Sequence, residues 1–179
     1  MNFTKNKQVI IVLIGYMGSG KTTIGKLVSK HLKINFLDLD EYIEKAEGQK
    51  IAELFSEKGE LYFRKKEFFY LNKILSSDAN IVLSTGGGTP CYGTNMDAII
   101  NATPNSVYLK VSLPGLVERL SVGKEHRPLI SGIMDTELPE FIGKHLFERS
   151  FYYNRAAITI SCDGKSPGQL AKEIVDRLV

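Results

Sequence analysis

The chain has 179 residues, of which 43% are hydrophobic and 24% are charged, a composition typical of one folded domain with a real core. The net charge of +3 gives no indication of nucleic acid or a membrane surface as a partner. Cys91 and Cys162 are the only cysteines, which excludes a disulfide framework and a cysteine-rich metal site. Since no segment of the sequence is long enough to span a membrane, we expect a cytoplasmic protein with reduced thiols.

Short apolar runs alternate with longer amphipathic segments, which predicts strands alternating with helices. The run Val9–Ile14 is apolar throughout and rich in β-branched residues, as expected for a strand buried on both faces. The predicted strands are Val9–Ile14, Ile34–Leu37, Ile81–Ser84, Ser106–Val111 and Ala157–Ile160. The predicted helices are Thr22–Leu32, Asp40–Glu47, Ile51–Glu57, Leu61–Leu75, Asn95–Ile100, Pro114–Leu120, Leu138–Arg155 and Pro167–Val175. This alternation indicates an α/β fold with a parallel sheet between layers of helices.

One segment, Ser121–Asp135, departs from this pattern. It contains glycines, a proline and several charges with little periodicity, and it is about as long as the lid of an active site. We therefore predict a mobile surface segment at about residues 121–135, within a single domain that covers residues 1–179.

The sequence Gly-Tyr-Met-Gly-Ser-Gly-Lys-Thr at Gly15–Thr22 matches the phosphate-loop pattern at every fixed position. It lies between a predicted strand and a predicted helix, where backbone N–H groups and the helix N-terminus can face phosphate oxygens. Lys21 is expected to reach the β- and γ-phosphates, and the Thr22 hydroxyl is expected to bind Mg²⁺. Further nucleotide contacts are predicted for Gly18, Ser19, Gly20 and Thr23. The motif predicts a nucleoside triphosphate ligand, and it is shared by GTPase switches, ATPase motors and metabolite kinases.

Two aspartates, Asp38 and Asp40, follow the second predicted strand. Strand ends of a parallel sheet face the ligand crevice, and residues two apart on an extended segment point the same way. Both carboxylates are therefore expected at the site of the phosphates and the metal. The structural alternative makes Asp40 a helix N-cap and Asp38 a turn residue, and Asp40 can combine the cap with a functional role.

Three consecutive glycines, Gly86–Gly88, follow the third predicted strand, and they would allow a ligand to approach the backbone closely. A flexible turn is the alternative. Arg64 lies in the run Arg64-Lys65-Lys66 and Arg149 follows Glu148, so each arginine, taken alone, is interpreted as a surface residue with weak ion pairs.

Aromatic residues are frequent in the predicted helix Leu61–Leu75. We expect a stripe of core residues here, formed by Leu61, Phe68, Phe69, Tyr70, Leu71 and Ile74. Phe55, Phe63 and Tyr153 are expected to line the apolar side of an acceptor pocket.

In combination, these motifs resemble the shikimate kinase family, and the resemblance covers almost the whole chain. The matching blocks are Gly15–Gly25, Asp38–Asp40, Gly59-Glu60, Phe63-Arg64 with Glu67, Gly86–Gly88, Arg127–Leu129, and Arg149 with Tyr153. The resemblance implies a five-stranded parallel sheet of order 2-3-1-4-5, as in P-loop nucleoside monophosphate kinases. It also implies transfer of the ATP γ-phosphate to the 3-hydroxyl of shikimate in aromatic amino acid biosynthesis, with Mg²⁺ as cofactor and a monomeric protein.

The resemblance further implies roles for residues of the acceptor site. Asp38 helps to hold Mg²⁺, through water, while Asp40 binds substrate hydroxyls and is the candidate general base. Arg64 and Arg149 bind the carboxylate of shikimate, since a guanidinium offers paired donors that lysine cannot copy. Gly86–Gly88 contact the hydroxylated ring, and the helices at about residues 40–77 carry most of this site.

For the nucleotide, the resemblance implies two further arginines. Arg127 lies in the predicted lid, where closure would bring it onto the transferring phosphoryl group, and Arg119 lies near the adenine.

Two rival functions remain open at this point. Another metabolite kinase, such as a gluconate kinase, would share the phosphate loop and the lid. A GTPase switch would need an Asn-Lys-x-Asp run to recognise guanine, and both Asn6-Lys7 and Asn72-Lys73 lack the aspartate.

Overall fold

The computed structural model describes residues 8–124 and 129–179. In this part of the chain the strands are β1 (Ile10–Ile14), β2 (Asn35–Asp38), β3 (Ile81–Ser84), β4 (Ser106–Lys110) and β5 (Ile158–Ser161). The helices are α1 (Lys21–Leu32), α2 (Leu39–Glu47), α3 (Ile51–Leu75), α4 (Asn95–Ala102), α5 (Leu113–Ser121), α6 (Leu138–Tyr153) and α7 (Pro167–Arg177). A short 3₁₀ helix spans Thr89–Cys91, between β3 and α4. No helix of these residues is long and apolar enough to cross a membrane.

The strands form a parallel sheet of order β2-β3-β1-β4-β5, which confirms the predicted α/β architecture. The central strand β1 pairs with β3 from Ile10 opposite Ile81, and with β4 from Val12 opposite Ser106. Every residue of β1 is buried, as its unbroken apolar sequence predicts for a strand covered on both faces. Because all strands run in the same direction, the segments that follow β1, β2 and β3 meet at one edge of the sheet.

Helix α3 contains a break at Gly59, where φ is 80° and ψ is 166°. The two predicted helices Ile51–Glu57 and Leu61–Leu75 therefore correspond to the two parts of α3. Glycine adopts a positive φ without the clash that a Cβ atom would introduce, so the change of direction falls at this residue.

The predicted core stripe of α3 is wrong for half of its members. Tyr70, Leu71 and Ile74 are buried, whereas Leu61, Phe68 and Phe69 are exposed. The buried face follows helical spacing from Phe63 through Glu67 to Tyr70, Leu71 and Ile74. Leu61 and Phe68 are seven residues apart and share a different face, which points away from the core.

The structure describes most of the predicted lid, residues 121–135. Ser121 is the last residue of α5, and Ile130 is buried. Lys124 donates through Nζ to Asp135 Oδ1 at 2.6 Å, which connects the two ends of the segment. Arg127 lies outside the described residues, so its role stays a prediction, as does the mobility of the segment.

Candidate active site

Gly15–Thr22 forms a loop between β1 and α1. Gly18 and Gly20 adopt φ values of 78° and 93°, which favour glycine over any residue with a Cβ atom. Gly20 is also the N-cap of α1, and within this fully described segment the helix has neither a side-chain cap nor an acidic residue in its first turn. The N-terminal N–H groups and the positive end of the helix dipole are thus left to an anion.

The Lys21 ammonium is held against this loop. Its Nζ donates to the backbone oxygens of Gly15 at 2.9 Å and Tyr16 at 3.0 Å. Burial lowers the pKa of Lys21 to about 8, although the carboxylates of Asp40 and Asp38 oppose that change. The side chain therefore stays mainly cationic at pH 7 and adds charge to the phosphate-binding surface.

Thr22 and Asp38 form a pair of oxygen ligands at the start of α1 and the end of β2. The Thr22 hydroxyl donates to Asp38 Oδ2 at 3.0 Å. Hydroxyl and carboxylate oxygens are ligands that Mg²⁺ prefers, and this ion is commonly held by one or two carboxylates together with waters and substrate phosphates. No group of three or more His, Cys, Asp or Glu side chains that could hold a metal occurs among the described residues. The pair therefore fits a magnesium ion shared with a nucleotide, and it does not provide a complete protein cage.

Asp38 is also the N-cap of α2, because its Oδ1 accepts a hydrogen bond from the Asp40 backbone N at 3.1 Å. The structural alternative considered for the sequence assigned this cap to Asp40, and that assignment is wrong. Asp40 lies instead in the first turn of α2. Burial, reinforced by the nearby carboxylates of Asp38 and Glu67, raises the pKa of Asp40 to about 6. With this pKa the Asp40 carboxylate remains largely ionised at neutral pH. Because Asp38 makes the capping hydrogen bond, the Asp40 carboxylate does not cap the helix.

A cavity of about 310 Å³ lies where these segments meet. Its lining consists of Met17, Gly18, Gly20, Lys21, Thr22, Thr23, Asp38, Asp40, Ser84, Thr85, Gly86 and Gly87. The same cavity is thus bordered by the phosphate loop, both aspartates and two of the three glycines. Ser84 and Thr85 also line the cavity and were not predicted from the sequence, although their place at the carboxyl end of β3, directly before the glycines, is a signal for such a role.

The glycine run packs closely against both halves of the site. A Cβ atom on Gly86 would lie 2.9 Å from Asp40 Oδ1, and one on Gly87 would lie 3.1 Å from the Met17 backbone N. The Tyr153 hydroxyl, which comes from α6, donates to the Gly87 oxygen. Side chains at these positions would separate the glycine run from Asp40 and from the phosphate loop, so the glycines are required by close approach and not by turn flexibility alone.

Arg64 lies beyond Gly88, and its side chain is only 19% exposed. It forms ion pairs with Glu60 at 3.2 Å and with Glu67 at 3.1 Å. Glu67 is itself buried and accepts a hydrogen bond from the Thr89 hydroxyl at 2.6 Å. The interpretation of Arg64 as a solvated surface residue is therefore wrong, since a buried carboxylate and the 3₁₀ helix hold it beside the glycines.

Helix α6 brings Arg149 to the phosphate loop. The Arg149 guanidinium lies 5.5 Å from the centre of the Tyr16 ring in the phosphate loop. The Tyr16 hydroxyl is 3.4 Å from His145 Nδ1, also on α6. Arg64 thus lies beside the glycine run and Arg149 beside the phosphate loop, although neither belongs to the lining of the 310 Å³ cavity, and their binding of an acceptor carboxylate remains a prediction.

Ser19 and Arg119, both predicted to contact the nucleotide, lie at the phosphate loop. Ser19 is buried within the phosphate loop. Arg119, from the last turn of α5, donates through Nη1 to the backbone oxygens of Gly18 and Ser19, each at 3.4 Å. The structure thus places Arg119 against the phosphate loop, and its contact with adenine remains a prediction.

The chain has the fold of a P-loop kinase: its parallel sheet has the order β2-β3-β1-β4-β5, a phosphate loop follows β1, and an aspartate ends β2. The family model for shikimate kinase matches residues 17–179. The chain therefore belongs to the shikimate kinase family, whose members are ATP-dependent kinases.

Known relatives agree with this assignment over nearly the full length. The shikimate kinase of Flavobacterium psychrophilum is 47% identical over 164 residues, which cover 92% of this chain and 95% of that protein. The crystal structure of shikimate kinase from Bacteroides thetaiotaomicron matches with a TM-score of 0.85 and 38% identity, covering 94% of this chain and 95% of that one. The structure of shikimate kinase from Acinetobacter baumannii in complex with shikimate matches with a TM-score of 0.83 and 29% identity, covering 95% and 92%.

Proposed function

We propose that the protein transfers the γ-phosphate of ATP to the 3-hydroxyl of shikimate and releases shikimate 3-phosphate and ADP. The observation that carries the proposal is the shared cavity, where the phosphate loop faces Asp40 and Gly86–Gly87. A nucleotide phosphate and an acceptor hydroxyl bound at these two walls would be neighbours. Membership of the shikimate kinase family supports shikimate as the acceptor.

The nucleotide end of the site is built to bind phosphate. The loop N–H groups and the α1 N-terminus face the phosphates, and Lys21 supplies a positive charge near the γ-phosphate. Thr22 and Asp38, the latter through water, hold Mg²⁺, which when bound neutralises charge on the phosphate oxygens. Further nucleotide contacts are proposed for Gly18, Ser19, Gly20, Thr23 and Arg119, and Arg127 is proposed to stabilise the transferring phosphoryl group.

At the acceptor end, Asp40 accepts a hydrogen bond from the reacting hydroxyl and orients it toward the γ-phosphate. The transition state of phosphoryl transfer has little bonding to the nucleophile, so this orientation contributes more than early removal of the proton. Asp40 then takes the proton as the new O–P bond forms. Arg64 and Arg149 bind the acceptor carboxylate from two sides, and Gly86–Gly88 approach its ring.

We further propose that residues 1–179 act as a single monomeric kinase domain with a lid at about residues 121–135. A cytoplasmic location is consistent with Cys91 and Cys162, which are both free thiols.

The identity of the acceptor can be tested on the purified protein with MgATP. Phosphorus NMR of the reaction mixture should show a new phosphomonoester with shikimate, no new phosphomonoester with gluconate and no nucleoside diphosphate with nucleoside monophosphates. A phosphorylated sugar acid as the main product would assign the protein to another class of metabolite kinase. Nucleotide binding without any phosphorylated acceptor would contradict the kinase assignment itself.

A further inference from the structure

Tyr92 covers the Arg64 guanidinium from the side of α4. The residue follows the 3₁₀ helix Thr89–Cys91, and its ring centre lies 3.6 Å from Arg64 Cζ. This is the distance of direct stacking between a guanidinium and an aromatic face. Phe63 and Phe55 are further away, with ring centres at 5.2 Å and 5.7 Å from the same atom. Tyr92 is therefore the nearest of the three rings to the guanidinium.

The Tyr92 hydroxyl connects this ring to the ion pair of Arg64. It donates to Glu60 Oε1 at 2.9 Å, and the same oxygen accepts from Arg64 Nε at 3.3 Å and Nη2 at 3.2 Å. Tyr92 and Glu60 thus contact the guanidinium at its face and at one of its edges, and they also contact each other. Movement of either residue would change the orientation of Arg64.

The hydrogen bonds of Arg64 leave a defined pair of donors. A guanidinium has five N–H groups. Glu60 accepts from Nε and from one N–H of Nη2, and Glu67 accepts from one N–H of Nη1 at 3.1 Å. One N–H therefore remains on each terminal nitrogen, so Arg64 still has two donors to offer to a further carboxylate.

The space in front of these donors is kept open by Gly88. A Cβ atom on Gly88 would lie 3.4 Å from both Nη1 and Nη2 of Arg64 and 3.3 Å from Tyr92 Cε2. The terminal nitrogens thus face the glycine run with no side chain between them. This is the side of Arg64 on which an acceptor bound along Gly86–Gly88 would lie.

We propose that Tyr92 is a positioning residue that orients Arg64 for recognition of the acceptor carboxylate, acting through ring stacking and through its hydrogen bond to Glu60. This inference rests on the proposed function, because it assumes an acceptor that carries a carboxylate. Two carboxylates already pair with Arg64, so an approaching third carboxylate is repelled unless it meets the remaining N–H groups in line. The orientation of the guanidinium then contributes directly to acceptor affinity.

The test compares Tyr92→Leu and Tyr92→Phe with the unmodified protein, using two acceptors. One acceptor is shikimate, and the other is its analogue with a hydroxymethyl group in place of the carboxylate. Tyr92→Leu removes the stack and the hydroxyl, and it should raise the KM for shikimate about three- to tenfold with little change in kcat. Tyr92→Phe keeps the ring, so the KM should rise by only about twofold. Neither substitution should change kcat/KM for the neutral analogue.

Phe147→Leu provides the matched control, because Phe147 is an aromatic residue that is 82% exposed on α6. Its kinetics with both acceptors should equal those of the unmodified protein. An unchanged KM for shikimate in Tyr92→Leu, or an equal loss with both acceptors, would overturn the inference and leave Tyr92 a purely structural residue. Failure of the proposed function is recognised separately and earlier, since the unmodified protein would then show no turnover of shikimate.

Discussion

The charge state of an individual site residue depends on the groups around it. Lys21 is buried and yet cationic, because loop oxygens accept from its ammonium and the carboxylates of Asp38 and Asp40 oppose the effect of burial on its pKa. In a loose phosphoryl-transfer transition state, positive charge at the γ-phosphate is the main contribution that a protein can make. Lys21 should therefore affect kcat more than it affects folding.

Lys21→Met should lower kcat by about 100-fold or more, the effect typical of removing one preorganised donor from a developing charge. The measurement is ADP release under saturating MgATP and shikimate. Lys30→Met is the matched control, because Lys30 is an exposed lysine on the same helix. Equal rates for the two variants would contradict the assignment of Lys21 to the phosphate site.

How far single residues could be predicted depends on whether their signal is local. The phosphate loop and the Asp38–Asp40 pair follow from motif, spacing and the geometry of parallel strand ends. The partial burial of Arg64 could not be predicted from its neighbours in sequence, because its partner Glu67 is held in place by Thr89, which comes from elsewhere in the fold. The sequence alone favours a surface residue there, and only the family resemblance pointed to the site.

At the scale of elements, the break in α3 separates a short first part from the longer part that carries Arg64. Gly59 permits it through its positive φ, and open space surrounds the position where a Cβ atom would be. Alanine would therefore meet backbone strain and no clash.

Gly59→Ala should lower the free energy of unfolding by about 1–3 kcal/mol, the cost of a sparsely populated backbone conformation. Urea denaturation measures this change. Gly168→Ala is the control, since Gly168 lies in the first turn of α7 with equally open surroundings and no positive φ. If both variants are equally stable, the conformation at Gly59 contributes no strain that glycine relieves.

Helices α2 and α3 are joined by a buried carboxylate at Glu47. Its oxygens accept from Lys66 Nζ at 2.8 Å and from the hydroxyls of Tyr62 and Tyr70, each at 2.7 Å. These hydrogen bonds, with that of Lys66 the largest cause, lower the pKa of Glu47 from 4.5 to about 2. Because α2 carries Asp40 and α3 carries Arg64, this contact also connects the helices of two residues that are proposed to bind the acceptor.

A carboxyl group whose pKa is lower in the folded state stabilises the fold at pH values above its unfolded pKa. This stabilisation is lost as the pH falls through the folded value, so for Glu47 the loss should occur between about pH 4.5 and pH 2. Glu47→Gln should be less stable than the unmodified protein at pH 7, and the difference should shrink over that interval. Urea denaturation across the pH range tests this, with Glu41→Gln, an exposed glutamate on α2, as the control. A difference that stays constant with pH would contradict the assignment.

The elements themselves were predicted with few errors, because strands and helices here have clear periodicities. The incorrect core stripe on α3 shows where pattern alone fails. Phe68 and Phe69 are as hydrophobic as Tyr70, but they lie on other faces of the helix, and composition cannot distinguish a core face from an exposed one.

On the scale of the whole molecule, the order of the strands in the sheet brings the parts of the site together. Strands β2, β3 and β1 are consecutive in the sheet, so the end of β2 at Asp38, the glycines after β3 and the phosphate loop after β1 lie side by side. Helix α6 adds Arg149 and Tyr153 from much later in the chain. The order of the strands could be predicted only from the family resemblance. The alternation of strands and helices predicts a parallel sheet, but it does not determine which strands are neighbours.

Asp40 is proposed to bind the acceptor and to orient its hydroxyl for phosphoryl transfer, in the cavity that it shares with the phosphate loop. The most direct test is ADP release from MgATP with and without shikimate, measured for the unmodified protein, for Asp40→Asn, and for Asp78→Asn, an exposed aspartate, as control. We predict strong stimulation by shikimate in the unmodified protein and the Asp78 variant, and loss of that stimulation in Asp40→Asn with nucleotide binding retained. Equal stimulation in all three proteins would contradict the role of Asp40, and no stimulation in any of them would contradict the proposed reaction.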